Sequence, residues 1–238
     1  MSGKDFLDIL CGSSTIEGLL DKNPNDIRYR VGCLNWLNLV LKDISTRQNS
    51  FHWLFLEKSA TAPTVVDQHT YDPPIDIDTN KMFAIYDRTK DRTYKFVPYS
   101  KFVRYVPDPA NYRGDIIIWT FFANTIRMLN IPTSVFTMYM DFIKTITLFS
   151  DNATSFTDIP AKYDSVILNG ALVYGYRFDP ELGDWEKQQA IFEIGITNMV
   201  RENSMMIAEL PETQSHRTRG NDLGGTLPID THAGGIWA

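Results

Sequence analysis

Apolar residues recur every three or four positions in two parts of this chain, and this spacing predicts amphipathic helices. The first helix is predicted to begin at Asn23 and Pro24, because the pair supplies an N-cap and a proline at the first helical position. Its apolar stripe is predicted to consist of Ile27, Val31, Leu34, Leu37 or Asn38, Leu41, Ile44 and Gln48. Gly32 lowers helix propensity, so we expect close approach of a neighbouring backbone there.

Helical spacing returns after residue 151. The stretch DIPAKYDSVILNGALVYGYRF predicts one helix, and Asp179 followed by Pro180 predicts the N-cap and first turn of the next. Because almost no loop separates the two, we expect an antiparallel helical hairpin.

The middle of the chain changes to β-type runs, of which PTVVDQHTYDPP, KMFAIYDR, DIIIWTFFANTIRMLNIP and VFTMYMDFIKTITLF are each predicted to be strand. Turns rich in aspartate and proline separate these runs. Tyr99, Phe102 and Val103 lie at helical spacing, which predicts a short helix within the β-rich part.

These patterns predict an α+β protein: a helical bundle built from N- and C-terminal helices, with a β-rich insertion and an extended C-terminal arm. The predicted boundaries are 1–56 plus 151–206 for the helical domain, 57–150 for the insertion and 207–238 for the arm.

The arm ends in GGTLPIDTHAGGIWA and has no periodicity. Composition alone fits a terminal segment without a role. An aromatic anchor at the tip favours a docking arm instead, because aromatic side chains supply a large contact area at interfaces. The candidate docking residues are Arg217, Arg219, Gly224, Gly225, Leu227, Ile229, Ile236 and Trp237.

A formal net charge of -6 over 238 residues argues against a general nucleic-acid or membrane-surface binder, since such proteins depend on basic patches. Cys11 and Cys33 are the two cysteines, and no secretory signal precedes them, so we expect a reduced cytoplasmic protein with buried or half-buried thiols. No apolar run reaches the length that a transmembrane helix needs.

Each candidate for catalytic or metal chemistry fails at a definable position. Asp76, Asp78 and Asn80 match the first ligand spacings of a calcium loop, but Lys81 and Asp87 occupy the positions of its Gly and Glu. A polar turn is therefore expected.

Two further patterns fail as well. Gly12 and Ser14 begin a G-x-S-x-G pattern that Ile16 breaks, and the four histidines are scattered. We predict no catalytic residue, no cofactor and no metal, and hence no enzyme.

The order of the pieces resembles a known family. The run LNWLNLVLKDISTRQNSFHWLFLEKSAT contains the aromatic cluster Phe51, Trp53 and Phe55; a β-rich block with YKFVPYSKFVRYVPDP follows, and then the helical pair up to Glu202. Over about residues 24–205 this arrangement is similar to the head-to-tail adaptor (connector, or neck) proteins of tailed bacteriophages, especially the short-tailed type.

The resemblance implies a non-enzymatic structural protein of the virion neck, between capsid and tail, that passes through the host cytoplasm during assembly. It implies a homo-oligomeric ring of 12 copies beneath the portal protein. The insertion would face the tail proteins, whether nozzle or tail fibre, and the C-terminal arm would dock on the portal. DNA would pass through the channel without specific binding, and no membrane is involved.

One alternative function uses the aromatic residues of the strands. A carbohydrate- or receptor-binding module on a virion or cell surface would stack sugar rings on exposed tyrosines of YKFVPYSKFVRY. Packing of the same residues in a core is the simpler explanation. An enzyme whose active site follows no motif is the third alternative.

Overall fold

The computed structural model describes residues 1–12, 18–20, 27–47, 53–105, 111–150 and 157–208. Within them the chain has the predicted α+β fold, with five α-helices and a seven-stranded sheet. The helices are α1 (Gly3–Cys11), α2 (Ile27–Thr46), α3 (Tyr99–Tyr105), α4 (Asp164–Phe178) and α5 (Trp185–Ala208). The strands are β1 (Glu57–Pro63), β2 (Thr70–Tyr71), β3 (Ile77–Asp87), β4 (Arg92–Phe96), β5 (Ile118–Phe122), β6 (Thr125–Leu129) and β7 (Thr137–Lys144).

The chain divides into two compact units. The helical unit contains residues 1–58 and 143–205, and the β-rich unit contains the described residues 59–142. The helical core includes Leu10, Leu37, Leu41, Ile44, Trp53, Ile167, Ala171, Phe192 and Met199.

Helix α1 was not predicted. Its start is fixed by a reciprocal pair: the Asp5 amide donates to the Ser2 hydroxyl at 3.3 Å, and the Ser2 amide donates to the Asp5 carboxylate at 2.7 Å. The sequence signal is a serine followed three positions later by an acidic residue. Nine residues are too few for an apolar period to stand out.

Helix α2 exists as predicted, but its buried face is centred differently. Leu34, Leu37 and Leu41 are buried, whereas Val31 is 50% exposed. At about 100° per residue, Val31 lies about 120° around the helix from Leu37. Its assignment to the core stripe was therefore wrong. The predicted N-cap at residues 23 and 24 lies outside the described residues.

The prediction that a neighbouring backbone approaches Gly32 closely is also wrong. A Cβ placed there would meet nothing nearer than Trp36 Cζ2, at 3.9 Å. The close approach lies at Gly170 of α4, where a Cβ would stand 2.8 Å from atoms of both Phe192 and Val40. Gly170 thus lets α2 and α5 pack tightly against α4.

Helices α4 and α5 confirm the two C-terminal helices, with a different junction. Asp179 makes no side-chain cap and precedes a short 3₁₀ turn at Pro180–Leu182. The N-cap of α5 is Asp184, whose carboxylate accepts from the amides of Glu186 and Lys187 at 3.0 and 3.1 Å. The prediction of Asp179 as the N-cap was wrong, because the chain makes one more turn before an acidic side chain reaches free amides.

The sheet has the strand order β1-β7-β3-β4-β5-β6-β2. Strand β4 runs parallel to β5 and antiparallel to β3, while β6 is antiparallel to β5 and β2. The run DIIIWTFFANTIRMLNIP was predicted as one strand and is a hairpin. Ala123 and Asn124 turn the chain with φ values of 51° and 57°, as in the tight turns that connect paired strands.

Of two other predictions for the β-rich unit, one is mostly wrong and one is confirmed. In the run PTVVDQHTYDPP, only Pro63, the last residue of β1, and Thr70–Tyr71 of β2 are strand. The short helix is confirmed as α3, whose Phe102 is buried against Val97, Ile118 and Leu129. The main core of the β-rich unit comprises Tyr71, Ile85, Tyr94, Ile116, Trp119, Ile126, Met128, Met138 and Met140.

Candidate docking surfaces

All eight predicted docking residues of the arm, Arg217, Arg219, Gly224, Gly225, Leu227, Ile229, Ile236 and Trp237, lie outside the described residues. Helix α5 is the element from which the arm continues, since α5 ends at Ala208. Among the described residues, α5 is therefore the element next to the predicted arm.

Helix α5 has one face in the core and an apolar strip on the opposite side. Phe192 and Met199 are buried, whereas Ile191, Ile194 and Met205 are 41%, 62% and 56% exposed. Scattered apolar side chains are common on protein surfaces, but helical spacing aligns these three along one side of α5. They form a candidate contact strip, which we call the α5 strip.

An ion-pair network fixes the middle of α5 to the end of α2. The Arg47 guanidinium donates to both carboxylate oxygens of Glu193, at 2.7 and 2.9 Å, and to both of Asp43, at 3.1 and 2.8 Å. The hydrogen bonds from Arg47 hold the pKa of Glu193 below its ordinary value. Bidentate pairs of this kind set orientation as well as charge.

Further along α5, Asn203 is 5% exposed, and its side-chain oxygen accepts from the Leu54 amide at 3.0 Å. Trp53, next to Leu54, donates its indole N–H to the Ile44 carbonyl at 2.9 Å and stacks on Phe55 with ring centroids 5.3 Å apart. Trp53 and Leu54 thus tie the end of α2 to α5 near the end of the described chain.

The two thiols lie together in the helical core. Cys11 and Cys33 are both buried and free, as expected from the sequence. A hydrogen bond between them, in which Cys33 is the donor, lowers the pKa of Cys11 and raises that of Cys33. Burial separates both thiols from solvent, so they pack as small apolar side chains.

The aromatic residues proposed for sugar stacking divide between core and surface. Tyr94 and Phe102 are buried, in agreement with the simpler explanation of core packing. Phe96 is 49% exposed and packs on Trp119 with ring centroids 4.8 Å apart. Tyr99 stacks on Phe122 with ring centroids only 3.7 Å apart.

The candidate calcium loop does not form a metal site in the described part of the chain. Asp78 and Lys81 lie in β3, where they pair at 2.6 Å, so the prediction of a polar turn over this segment is wrong. The side chain of Asn80 lies outside the described residues. Among the described residues, no group of three or more histidine, cysteine or acidic side chains is placed to hold a metal ion. Ser14 and three of the four histidines lie outside them.

Within the same described ranges, none of the helices combines the length and apolarity that a bilayer crossing demands.

Comparison with known proteins agrees with the resemblance seen in the sequence. A search of curated proteins gave no match. The family model described as SU10 adaptor protein matches residues 14–214, which include all of the helical unit except its first residues and all of the β-rich unit. Such adaptors have a structural role in phages. The chain therefore belongs to the SU10 adaptor protein family.

Proposed function

We propose that this protein forms a ring, with 12 copies, that joins the capsid portal to the tail and extends the DNA channel. Its place is the virion neck, and assembly takes place in the host cytoplasm. The observation that carries this proposal is the match to an adaptor family over residues 14–214. No alternative activity has comparable support among the described residues.

The helical unit suits a rigid ring component. Its core joins α1, α2, α4 and α5, and the Arg47 and Asn203 contacts hold α5 at two points. The α5 strip leaves Ile191 and Ile194 free to pack against another protein. A rigid subunit of this kind offers a fixed surface on which a neighbouring subunit packs, while its own fold stays unchanged.

The C-terminal residues are proposed as the portal docking arm. At about 3.3 Å per extended residue, residues 211–238 span on the order of 90 Å, which is enough to reach a neighbouring subunit. Gly224 and Gly225 allow close backbone approach, while Arg217, Arg219 and Trp237 supply anchors. Ordering such a segment costs entropy, so repetition around a ring is needed for firm attachment.

Removal of the arm tests this proposal. Protein truncated after Glu209 is expected to melt as the intact protein does, because the described core residues lie before that position. Its attachment to purified portal rings is expected to collapse. Trp237→Ala is expected to weaken docking by about 2 kcal/mol or more per site, since a buried interface tryptophan is a common hot spot.

Co-sedimentation of intact, truncated and Trp237→Ala protein with portal measures both effects. Thermal unfolding of the free proteins is the control for loss of structure. Full portal binding by the truncated protein would show that the arm is dispensable and that docking belongs to the helices.

A further inference from the structure

A second group of side chains on the β-rich unit has the composition of a binding site. Strand register places Thr120 of β5 opposite Arg127 of β6, and Thr70 of β2 opposite Arg127 from the other side. Phe122 shares the face of Thr120, because side chains two apart in a strand point the same way. Tyr99, from α3, stacks on Phe122 over this face.

Arg127 contacts only neutral groups in the described part of the chain. Its guanidinium carbon lies 5.4 and 5.1 Å from the ring centroids of Tyr99 and Phe122, and one terminal nitrogen reaches the Tyr99 hydroxyl at 3.5 Å. Several other arginines of the described ranges pair with carboxylates, as Arg92 does with Asp115. Among the described residues, no carboxylate pairs with the fork of Arg127.

Two polar atoms of this group are buried without a hydrogen-bond partner. They are the hydroxyl of Thr120, a residue with 0% exposure, and Nε of Arg127. Buried donors without acceptors are rare in folded proteins and call for an explanation. Phe122, which is 40% exposed, marks the side on which the group meets solvent.

Three basic residues lie on the strand and the helix that border this group, although the chain as a whole is acidic. Lys95 pairs in register with Ile118, which puts it on the same face of the sheet, and Lys101 and Arg104 lie on α3. All three are exposed, and no described carboxylate forms an ion pair with them. This charge attracts an acidic partner.

We propose that Arg127, Thr120, Tyr99 and Phe122 form a docking site for a carboxylate side chain of a tail protein. A carboxylate offers two planar oxygens, one for the Arg127 fork and one for the Thr120 hydroxyl, and displacement of the exposed Phe122 ring opens the way to them. The net charge of -6 disfavours the alternative of a DNA phosphate, which belongs to an extended polyanion. The identity of the partner rests on the proposed function; the chemistry of the site does not.

Binding of a small dicarboxylate to the full-length chain, with no partner protein present, tests whether the site accepts a carboxylate. Glutarate, added at constant ionic strength, is expected to shift the ¹⁵N resonance of Arg127 Nε, while that of Arg92 stays in place because Asp115 already occupies it. Thr120→Val is expected to weaken this response about tenfold, and Arg127→Lys to remove it. A stronger response to phosphate or to duplex DNA than to glutarate would overturn the proposal, as would no response.

Attachment of purified tails to portal–adaptor complexes tests the partner. Arg127→Lys is expected to bind tails at least tenfold more weakly and to bind portal as the unchanged protein does. Lys42→Met, an exposed change on α2, is the matched control and is expected to alter neither. If Arg127→Lys fails to fold, Thr120→Val replaces it, because valine keeps the shape of the side chain and removes only the hydroxyl.

The tail-binding and portal-binding results distinguish failure of this site from failure of the proposed function. Unchanged tail binding by Arg127→Lys or Thr120→Val would reject this site. Failure of the unchanged protein to bind portal would reject the proposed function, while the glutarate response would still decide whether Arg127 binds a carboxylate.

Discussion

At the scale of single residues, Gly170 is a position where α4 has no room for a larger side chain. Gly170→Ala would put a Cβ 2.8 Å from Phe192 and Val40, in a place where two packed side chains must move. We expect a loss of about 1–3 kcal/mol in the free energy of unfolding, the usual cost of overpacking a core. Urea denaturation measures this loss.

Gly32→Ala is the matched control on α2. Its nearest new neighbour is 3.9 Å away, so relief of the glycine's helix penalty is expected to stabilise the protein by about 0.5–1 kcal/mol. Equal and small effects of the two substitutions would contradict the packing described for Gly170.

The same pair shows what sequence can reveal about single residues. Leu34, Leu37 and Leu41 were placed correctly because helical spacing fixes them on one face. A glycine in a helical pattern carries no mark of what lies opposite, so Gly32 received the role that belongs to Gly170. That distinction depends on tertiary packing.

At the scale of elements, an ion pair connects the end of β7 to the segment before α4. Lys144 donates to the carboxylate of Asp158, which also accepts from the Thr147 amide at 2.7 Å. Burial raises the pKa of Asp158, but these hydrogen bonds outweigh it, and the pKa falls below the ordinary value of 3.8. Because the folded pKa is the lower one, the stabilisation is present above about pH 4 and is lost as the pH falls through the folded pKa.

Lys144→Met removes the ion-pair partner of Asp158, so the Asp158 carboxylate loses the hydrogen bond from Lys144 and keeps the one from the Thr147 amide. We expect the pKa of Asp158 to rise and the free energy of unfolding at pH 7 to fall by about 1–3 kcal/mol. The difference from the unchanged protein should shrink below pH 4. Urea denaturation at a series of pH values checks this, with Lys162→Met, in an exposed pair with Glu202, as a control expected to change little. A pH-independent difference would refute the ion-pair explanation.

Elements were predictable where their pattern was long. Helices α2, α4 and α5 each repeat an apolar period over several turns, and the segment of α3 has helical spacing between two strands. The hairpin at Ala123 and Asn124 was missed because neither glycine nor proline marks the turn. The site around Arg127 could not be predicted, since it depends on which residue of β5 lies opposite which residue of β6.

At the scale of the whole molecule, the order of elements carried more information than any motif. Helices, a β-rich stretch and a final helical pair resembled head-to-tail adaptors, and the family match over residues 14–214 confirms that assignment. The eight arm residues stay a prediction, because they lie outside the described residues and their sequence has no period to interpret.

The mass of the protein, free and after mixing with purified portal rings, tests the central claim most directly. Native mass spectrometry is expected to show a free protein of 27.3 kDa that is monomeric or weakly associated. With portal, it should show a complex heavier than the portal ring by 12 copies. A stable dimer that forms without portal, or a portal ring whose mass does not change, would contradict the account.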